Sequence, residues 1–374
     1  MPKIAVFQDY LAQYGGAERV TQAIHQTLPD ADLHTTLFVP EKMSPYLCNL
    51  ETKTTWMQYL PAKAKLYRHY FLFYPHAVES AHLEGYDLVV SSCCGYAKGV
   101  KRGKNAIHVC YCHNPMRWVW RFQEYMAREK FNAPTKFTLE FMVSRLKQWE
   151  MKAARRPDYF IANSYIVAQR LKSAFNIDAT VIEPPIETSR FWISKNVEDY
   201  YLILSRLVSY KRIDLAVEAC TRTNRRLLVI GDGPDRERLK ALAGPTVTFL
   251  GRQPDREVSR YASQCRALIF PGEEDFGMAP LEINAAGRPV VAYGAGGATE
   301  TVIEQVNGIL FREQTPDALI EALERCEGRT WDPPTIRNIA KRYDIHLFQE
   351  RLMNFLSTVS PSMSNYRLLP RRVG

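Results

Sequence analysis

Short apolar runs separated by longer mixed segments recur along the first half of the chain. The segments between the runs are long enough to form helices, and short continuous apolar runs are typical of buried parallel strands. The first half is therefore predicted to be an α/β domain. The predicted strands are Ile4–Phe7, Leu88–Ser91, Ile107–Tyr111 and Tyr159–Ala162.

The same pattern restarts after a pair of prolines, which favour extended backbone and disfavour helix. We place the interdomain linker at about 183–197, between an N-terminal domain at 1–185 and a second α/β domain at 197–345. Residues 346–374 are predicted to form a C-terminal helix and a basic tail. The predicted strands of the second domain are Tyr201–Ser205, Leu227–Ile230, Val247–Leu250, Ala267–Phe270 and Pro289–Ala292.

Length, charge and apolar patterning narrow the class of protein. A single hydrophobic core rarely grows beyond ~250–300 residues, so a chain of 374 residues is expected to form two domains. No stretch approaches the ~18 uncharged apolar residues of a membrane span, and the N-terminus lacks a secretory signal, so we expect a cytoplasmic protein. The formal net charge of +9 favours an anionic partner, either a nucleotide, a lipid headgroup or nucleic acid. Nucleic acid is disfavoured because the basic residues form no continuous stripe and no recognition module occurs.

Eight cysteines without a secretion signal indicate reduced thiols rather than a disulfide framework. His108, Cys110 and Cys112 alternate along one predicted strand, so a zinc site can be imagined there. Small buried thiols in a central strand are the commoner case. We therefore predict no metal site in this chain.

Loops that follow the predicted strands are where chemistry is expected, because parallel sheets bind ligands beyond the carboxyl ends of their strands. Gln13–Arg19 follows the first strand and contains the pair Gly15 and Gly16, before a helix predicted to begin at about Ala17. Paired glycines let backbone amides approach a ligand closely, and a helix N-terminus favours anions. The loop predicts either a phosphate site or a flexible turn.

Ser205–Lys211 follows the first strand of the second domain and precedes a helix predicted to start at Arg212. Arg206 offers a planar donor fork and Lys211 a movable point charge, a pair that suits a diphosphate without requiring a metal. Solvated surface charge is the alternative for either residue alone. Their place at the end of a strand favours the binding site.

The segment Glu273–Glu282 carries carboxylates around a predicted helix start. Pro280 suits the first helical position, which leaves residues 276–279 as a loop whose amides can point at an anion. Glu274 precedes this helix and Glu282 is placed in its first turn, so the two can address different parts of one elongated ligand. The alternative is that acidic residues favour the positive end of a helix dipole, which explains Glu282 alone.

Two further loops carry weaker signals. His113 follows a strand of the first domain beside a turn-forming Asn-Pro pair, although an isolated histidine is usually structural. Gly251 and Arg252 follow a strand of the second domain, where backbone groups could hydrogen-bond the edge of a planar base.

The acceptor side has three candidates. The segment 63–74 combines three cations with five aromatic residues, which is typical either of an interfacial segment that contacts anionic lipid or of an amphipathic helix packed on its own domain. The aromatic segment Trp118–Phe122 is a candidate acceptor platform, with core packing as the alternative. Asp9 ends the first strand and is a candidate for orienting the acceptor hydroxyl or taking its proton, or for capping the loop beside it.

Taken together, these motifs resemble the retaining GT-B glycosyltransferases of family 4 over essentially the whole chain. The strongest element is Glu274 followed by seven residues and Glu282, preceded in the order that family requires by Arg206-x4-Lys211, Gly231–Pro234 and Gly251-Arg252. The segments Tyr14–Val20 and Cys112–Trp118 resemble a subgroup containing bacterial polysaccharide and O-antigen mannosyltransferases. The resemblance implies two Rossmann-like domains facing a central cleft, with a C-terminal helix that crosses back to the first domain.

The resemblance also implies a role for individual residues. Arg206 and Lys211 would hold the donor diphosphate, Glu282 the ribose hydroxyls, and Glu274 and His113 the transferred sugar. The implied catalytic set is Glu274, His113, Arg206 and Lys211. The implied donor-binding residues are Gly16, Arg206, Lys211, Arg252, Phe276, Gly277, Met278 and Glu282. The acceptor candidates are Asp9, Tyr14, Arg117 and Trp118.

The implied reaction transfers a hexose, with mannose from GDP-mannose the first choice, and retains its anomeric configuration. The acceptor would be a glycan or a polyprenyl-diphosphate-linked oligosaccharide in cell-surface polysaccharide synthesis, at the inner face of the cytoplasmic membrane. Departure of a nucleoside diphosphate builds negative charge, which preorganised cations and amides stabilise. No Asp-x-Asp motif occurs where a divalent ion would hold the diphosphate, so we predict a metal-independent enzyme without a cofactor.

Other classes keep part of this pattern. A GT-B epimerase, a phosphorylase or a non-catalytic sugar-nucleotide-binding protein would preserve much of the same scaffold, because fold does not determine reaction. The segment Gly294–Gly297 prompts a dinucleotide-binding oxidoreductase, but Thr299 stands where the third glycine of that fingerprint belongs.

Overall fold

The computed structural model describes residues 2–122, 133–363 and 366, and the chain divides into two compact units. The first unit comprises residues 1–182 and 349–374, and the second comprises residues 183–348. Each unit is built around its own parallel sheet.

In the described part of the first unit, strands pair in the order β3-β2-β1-β4-β5-β6-β7, and every neighbouring pair is parallel. All four predicted strands are present. The three that the apolar pattern missed are short and partly polar, and they lie toward the edges of the sheet, where burial demands less apolar sequence. The strands are β1 Ile4–Gln8, β2 Asp32–Thr35, β3 Thr52–Thr54, β4 Leu88–Cys93, β5 Ile107–Cys112, β6 Tyr159–Ala162 and β7 Thr180–Val181.

The described second unit contains a parallel sheet in the order β10-β9-β8-β11-β12-β13. The five predicted strands are confirmed. The sixth, β13, escaped prediction because it opens with a glycine, Gly308. A glycine fits there because an added Cβ would lie 2.3 Å from the carbonyl oxygen of Val290 on the neighbouring strand. The strands are β8 Tyr201–Leu204, β9 Leu227–Ile230, β10 Val247–Gly251, β11 Ala267–Phe270, β12 Val290–Tyr293 and β13 Gly308–Phe311.

Both sheets confirm the predicted α/β class with two Rossmann-like halves. In each sheet the strand order reverses beside the first strand, between β1 and β4 and between β8 and β11. Loops that leave the carboxyl ends of the strands at such a reversal form the usual ligand crevice of open parallel sheets. This topology places the candidate loops at the expected edge of each sheet.

Helices and short 3-10 turns connect the strands. In the described residues, the α-helices are α1 Gly16–Thr27, α2 Pro45–Cys48, α3 Lys63–Leu66, α4 Tyr74–Glu79, α5 Arg117–Trp120, α6 Ala133–Ala153, α7 Tyr165–Phe175, α8 Ile213–Arg222, α9 Arg236–Leu242, α10 Asp255–Gln264, α11 Met278–Ala285, α12 Ala298–Thr301, α13 Pro316–Glu327, α14 Pro333–Lys341 and α15 Ile345–Val359. The 3-10 turns are Pro40–Lys42, Trp56–Tyr59, Ala97–Gly99, Thr188–Arg190, Ser209–Lys211 and Pro361–Met363. None of the helices in the described ranges is long and apolar enough to cross a bilayer.

The segment 183–197, expected to be a linker, packs as part of the second unit. Arg337 donates to the carbonyl oxygen of Phe191 at 2.7 Å, and Arg288 donates to that of Ser194 at 2.6 Å. Extended backbone has carbonyls without strand partners, and these guanidinium groups satisfy them. Phe191 is itself buried among the apolar side chains of that unit.

The last helix, α15, begins among residues of the second unit and belongs to the first unit from Gln349 onward. There the ring of Phe355 meets that of Tyr159, the first residue of β6, with ring centroids 6.3 Å apart. This assignment agrees with the implied return of the C-terminal helix to the first domain.

Candidate functional site

Three strand-end loops of the second unit are joined through their backbones. The amide of Leu207 donates to the carbonyl of Asp232 at 3.0 Å, and the amide of Asp235 donates back to Leu207 at 3.1 Å. The amide of Gly231 donates to the carbonyl of Gly251 at 2.8 Å. The loops after β8, β9 and β10 therefore form one connected surface at the carboxyl edge of the sheet.

Glycines make this close approach possible. Gly231 has a φ of +133°, and an added Cβ would lie 1.8 Å from the carbonyl oxygen of Ser205. An added Cβ on Gly233 would lie 2.2 Å from the carbonyl oxygen of Leu207. The motif Gly231–Pro234 thus supports the loop that carries the candidate phosphate cations.

Lys211 and Glu274 form an ion pair, although 62 residues lie between them in the sequence and they follow different strands. Burial by itself lowers the pKa of the Lys211 ammonium, but the Glu274 carboxylate and Tyr210 raise it more, so the net pKa lies above its usual value. Arg206 lies in the same loop and donates to the Tyr210 hydroxyl at 3.4 Å. The loops after β8 and β11 therefore present two cations and one carboxylate together.

The helix after the loop that holds Lys211 starts later than predicted. Ser209–Lys211 forms a 3-10 turn, and α8 begins at Ile213 after Arg212 adopts a left-handed φ of +50°. The helix therefore starts one residue later than predicted. Gly272, after β11, is packed so closely on this turn that an added Cβ would lie 2.7 Å from the Cα of Lys211.

The glycine-rich segment Gly294–Gly297 packs against the backbone of the acidic loop. Gly297 donates its amide to the carbonyl of Glu274 at 2.8 Å, and an added Cβ would lie 2.2 Å from the Cα of Phe276. Gly296 has a φ of +66° and lies equally close to Glu274. These contacts explain the glycines as supports for the acidic loop, without a dinucleotide.

Two details of the helix after the acidic loop were predicted wrongly. Helix α11 begins at Met278, so Pro280 is its third residue, and Glu282 is its fifth, in the second turn. The amides of a first helical turn have no intrahelical acceptor, so proline is tolerated at the third position as well as the first. Gly277 caps the helix with a φ of +87°, and Glu282 is buried.

The flank predicted to meet the base is open. Gly251 has a φ of +68° with no atom within 4 Å of an added Cβ, and Arg252 is exposed. Phe276, in contrast, is buried and packs its ring 5.8 Å from that of Tyr343. Phe276 therefore supports the loop from within, whereas its neighbours Gly277 and Met278 start the helix.

In the first unit, α1 begins at Gly16, one residue before the predicted start. The amide of Gly15 donates to the Glu18 carboxylate at 2.9 Å, which closes the first turn of the helix. The hydroxyl of Tyr14 donates to Gln22 at 2.9 Å. These bonds give the loop a defined conformation.

His113 is buried at the end of β5, and its position is fixed by a chain of polar side chains. Its Nε2 shares a 2.9 Å hydrogen bond with the Ser92 hydroxyl, which in turn accepts from Thr21 at 2.9 Å. The Thr21 hydroxyl also lies 2.6 Å from Oε1 of Gln8. Burial lowers the pKa of His113 to about 4, so its ring is neutral at pH 7. No local sequence signal marked Ser92 or Thr21, because this network of side chains joins four separate elements, β1, α1, β4 and the end of β5.

The structure favours the capping role of Asp9 over its role as a base. The side chain is buried and accepts from the amides of Cys94 at 2.7 Å and Tyr96 at 3.0 Å. Burial raises the pKa of this carboxyl, while backbone and charge contacts act in the opposite direction. Both carboxylate oxygens are committed to the loop after β4.

The two acceptor candidates after β5 lie on the short helix α5. Arg117 is its first residue and is half-buried, as is Trp118, whose ring meets that of Phe71 edge-on with centroids 5.2 Å apart. Trp120 donates its indole N–H to Glu150 at 2.8 Å. The aromatic segment therefore packs partly into the first unit, as expected from the alternative that it belongs to the core.

Segment 63–74 does not form a continuous amphipathic helix. It contains α3, a run of turns and the first residue of α4, and Tyr67 and Tyr74 are buried. Arg68 donates to Gln13 at 2.9 Å, so this cation has a partner. Exposed aromatic side chains occur both in the preceding turn, where Tyr59 is 88% exposed, and within the segment, where Phe73 is 47% exposed.

The imagined zinc site is replaced by ordinary packing. His108 is buried and shares a 2.8 Å hydrogen bond with Ser91, and Cys110 and Cys112 are buried thiols. Within residues 2–122, 133–363 and 366, no group of three or more His, Cys, Asp or Glu side chains could hold a metal ion.

Comparison with known proteins agrees with these features. Residues 14–190 match the family model described as Glycosyltransferase Family 4, and residues 186–332 match the model described as Glycosyl transferases group 1. The structure of Anabaena Alr3699/HepE in complex with UDP is similar with a TM-score of 0.70 at 20% identity, covering 96% of this chain and 100% of that chain. The chain thus has the GT-B fold of the group 1 and family 4 glycosyltransferases.

Curated relatives are similar at modest identity. The human alpha-1,3/1,6-mannosyltransferase ALG2 is 25% identical over 284 residues, which span 65% of each chain. A GDP-mannose-dependent alpha-mannosyltransferase of Corynebacterium glutamicum is 29% identical over 180 residues, which span 43% of each chain. The matched segments therefore cover less than two thirds of these relatives.

Proposed function

We propose that the chain is a retaining glycosyltransferase that uses a nucleoside-diphosphate sugar as donor. The observation that carries the proposal is that Arg206 and Lys211, in the loop after β8, lie together with Glu274, in the loop after β11, at the carboxyl ends of the strands. The two matched family models and the UDP complex of a structural neighbour support it.

Each residue of this site has a definite task in the proposed reaction. Arg206 and Lys211 bind the diphosphate and stabilise the negative charge that develops as the nucleotide leaves, the largest electrostatic contribution available to such a reaction. When a diphosphate accepts from Lys211, Glu274 becomes available to the hydroxyls of the sugar. Glu282 binds the ribose and the backbone beside Arg252 binds the base. Neither cation requires a metal ion as intermediary, so the proposed reaction is metal-independent.

The first unit contributes a neutral histidine to the proposed mechanism. Because His113 is uncharged at pH 7 and held by Ser92, it can exchange hydrogen bonds with a sugar hydroxyl without adding positive charge beside the oxocarbenium-like transition state. The amides around Gly16 offer further donors to the diphosphate.

Mannose from GDP-mannose is the proposed donor group, supported by the two mannosyltransferase relatives. The test is incubation with GDP-mannose, UDP-glucose and ADP-glucose, with and without octyl α-mannoside as a soluble acceptor. We expect faster GDP release from GDP-mannose than release from the other donors, an α-linked product by NMR, and the same rate in EDTA. Absence of release from every donor contradicts the proposed function, and loss in EDTA that magnesium or manganese restores contradicts metal independence.

A glycan or polyprenyl-diphosphate-linked acceptor at the inner face of the cytoplasmic membrane is the proposed partner. The supporting observation is the exposure of the apolar side chains of Tyr59, Leu72 and Phe73, close in sequence to Lys65 and Arg68. Apolar burial combined with attraction to anionic headgroups is the usual basis of interfacial binding.

Replacing Leu72 and Phe73 together by serine is expected to weaken binding to phosphatidylglycerol-containing vesicles roughly tenfold, because less apolar area enters the interface. Cosedimentation with vesicles measures the effect. Leu242→Ser is the matched control, since Leu242 is a similarly exposed leucine on α9 of the second unit. Equal binding by the double variant and the wild type excludes Leu72 and Phe73 as the membrane contact.

A further inference from the structure

Lys98 and Glu150 form an ion pair in which neither side chain has any exposed surface. The Lys98 Nζ lies 2.6 Å from Oε1 of Glu150. Lys98 belongs to the 3-10 turn Ala97–Gly99 after β4, and Glu150 lies on α6, 52 residues further along the chain. The pair occurs inside the first unit and has no part in the donor surface of the second.

Stability alone is a weak reason to retain such a pair. Taking two charges out of water is costly, and well-packed apolar side chains of similar volume often stabilise a protein as much or more. Burial by itself lowers the pKa of Lys98, whereas Cys93 and Glu150 raise it more, so the ammonium remains charged. The pair is therefore expected to serve a geometric purpose.

The other contacts of Glu150 show which segment it fixes. The amide of Met116 donates to Oε1 at 2.9 Å, and the indole N–H of Trp120 donates to Oε2 at 2.8 Å. These two donors are the residue before α5 and its last residue, so they bracket Arg117 and Trp118. One carboxylate therefore fixes both ends of the helix that follows His113.

Lys98 connects this carboxylate to the neighbouring loop. Its ammonium also donates to the carbonyl oxygen of Gly95 at 2.8 Å. The amides on either side of Gly95 donate to Asp9 at the end of β1. The loops after β1, β4 and β5 are thus linked through two buried carboxylates and one buried ammonium.

We infer that Glu150, neutralised by Lys98, is a positioning residue that holds the segment 113–120 in its reactive geometry. The inference rests on the proposed glycosyl transfer, in which His113 addresses the sugar and α5 the acceptor. Glu150 touches neither and acts through the backbone of Met116 and the indole of Trp120. Its carboxylate is needed because only an acceptor with two free oxygens can receive all three donors at once.

The variants that test this are Glu150→Gln and the double variant Lys98→Met with Glu150→Leu. Glutamine keeps the shape of the side chain but replaces one carboxylate oxygen by an NH2 group, which then faces a group that is itself a hydrogen-bond donor. The double variant removes both charges and fills their volume, so it is expected to recover the melting temperature without restoring the bonds to Met116 and Trp120. Glu79→Gln is the matched control, because Glu79 accepts from the indole of Trp149 at 2.7 Å and from Arg156 but has no bond to the segment 113–120.

Two measurements are made on each full-length variant. Hydrogen–deuterium exchange of the peptide 113–122 is expected to accelerate in both Glu150 variants and to stay unchanged in Glu79→Gln. In the nucleotide-release assay, kcat is expected to fall about ten- to a hundredfold in both Glu150 variants, since misplacement of a reacting group by about 1 Å has effects of that size. The Kd for GDP, which lacks the sugar that His113 addresses, is expected to stay the same.

The outcomes separate this inference from the proposed function. Unchanged exchange at 113–122, or an equal loss of kcat in Glu79→Gln, overturns the positioning role. A double variant with wild-type stability and wild-type kcat overturns it as well, because the pair would then be structural. If the wild-type protein releases no nucleotide from any donor, the proposed function fails, while the exchange measurement still decides whether Glu150 orders the segment.

Discussion

Replacing Lys211 by methionine is expected to lower kcat for nucleotide release about a hundred- to a thousandfold, the usual cost of removing one preorganised group that stabilises developing negative charge. Methionine keeps much of the stem but removes the ammonium. The substitution also leaves Glu274 without the cation that it pairs with in the structure. Steady-state kinetics with the best donor of the panel measures the loss.

The control for this substitution is Lys240→Met. Lys240 lies on α9 of the same unit and pairs with Glu237 at 3.4 Å on the surface, so its replacement removes an equal charge away from the joined loops. We expect the control to keep wild-type kcat. A surface pair of this kind contributes about 1 kcal/mol or less, so Lys240→Met should lose little stability. A kcat within twofold of wild type for Lys211→Met, at a normal melting temperature, contradicts the role of this lysine.

The sequence predicted the buried strands well and the edge strands poorly, for a physical reason. A strand covered on both faces must be apolar along its length, as Leu227–Ile230 is, whereas Thr52–Thr54 at the edge of its sheet has no such demand. Helix starts were correct to one or two residues. Capping by a glycine with positive φ, as at Gly277, and the tolerance of a first turn for proline allow more than one start from the same residues.

The candidate site was predictable where its residues follow strands directly. Lys211 and Glu274 could be named because each follows a strand of the second domain, and parallel strands bring their carboxyl ends to one edge. The network of His113 with Ser92 could not be predicted, because these contacts depend on which side chains meet across elements. The pair of Lys98 and Glu150 carries no local pattern at all. Its position became visible only once α6 was packed on the turn after β4.

Gly231 lies against the loop that carries Arg206, and its replacement is expected to cause a large loss of stability. An alanine there would place a Cβ 1.8 Å from the carbonyl oxygen of Ser205 and require an L side chain at a φ of +133°. Either the loop after β8 moves or the strand end distorts. We expect Gly231→Ala to reduce the free energy of unfolding by roughly 3 kcal/mol or more, in the range of severe backbone and packing changes.

Gly251→Ala provides the comparison, since Gly251 also has a positive φ of +68° but no atom within 4 Å of an added Cβ. Its cost should be limited to backbone strain, about 1 kcal/mol. Urea unfolding of both variants measures the difference, and calorimetric titration with GDP under native conditions measures the site. Because Ser205 immediately precedes Arg206, a Gly231→Ala protein that remains folded should bind GDP more weakly than the wild type. Equal unfolding free energies for the two alanine variants would show that the loops after β8 and β9 are not held together by this close approach, and the joined surface proposed to bind the diphosphate would lose its structural basis.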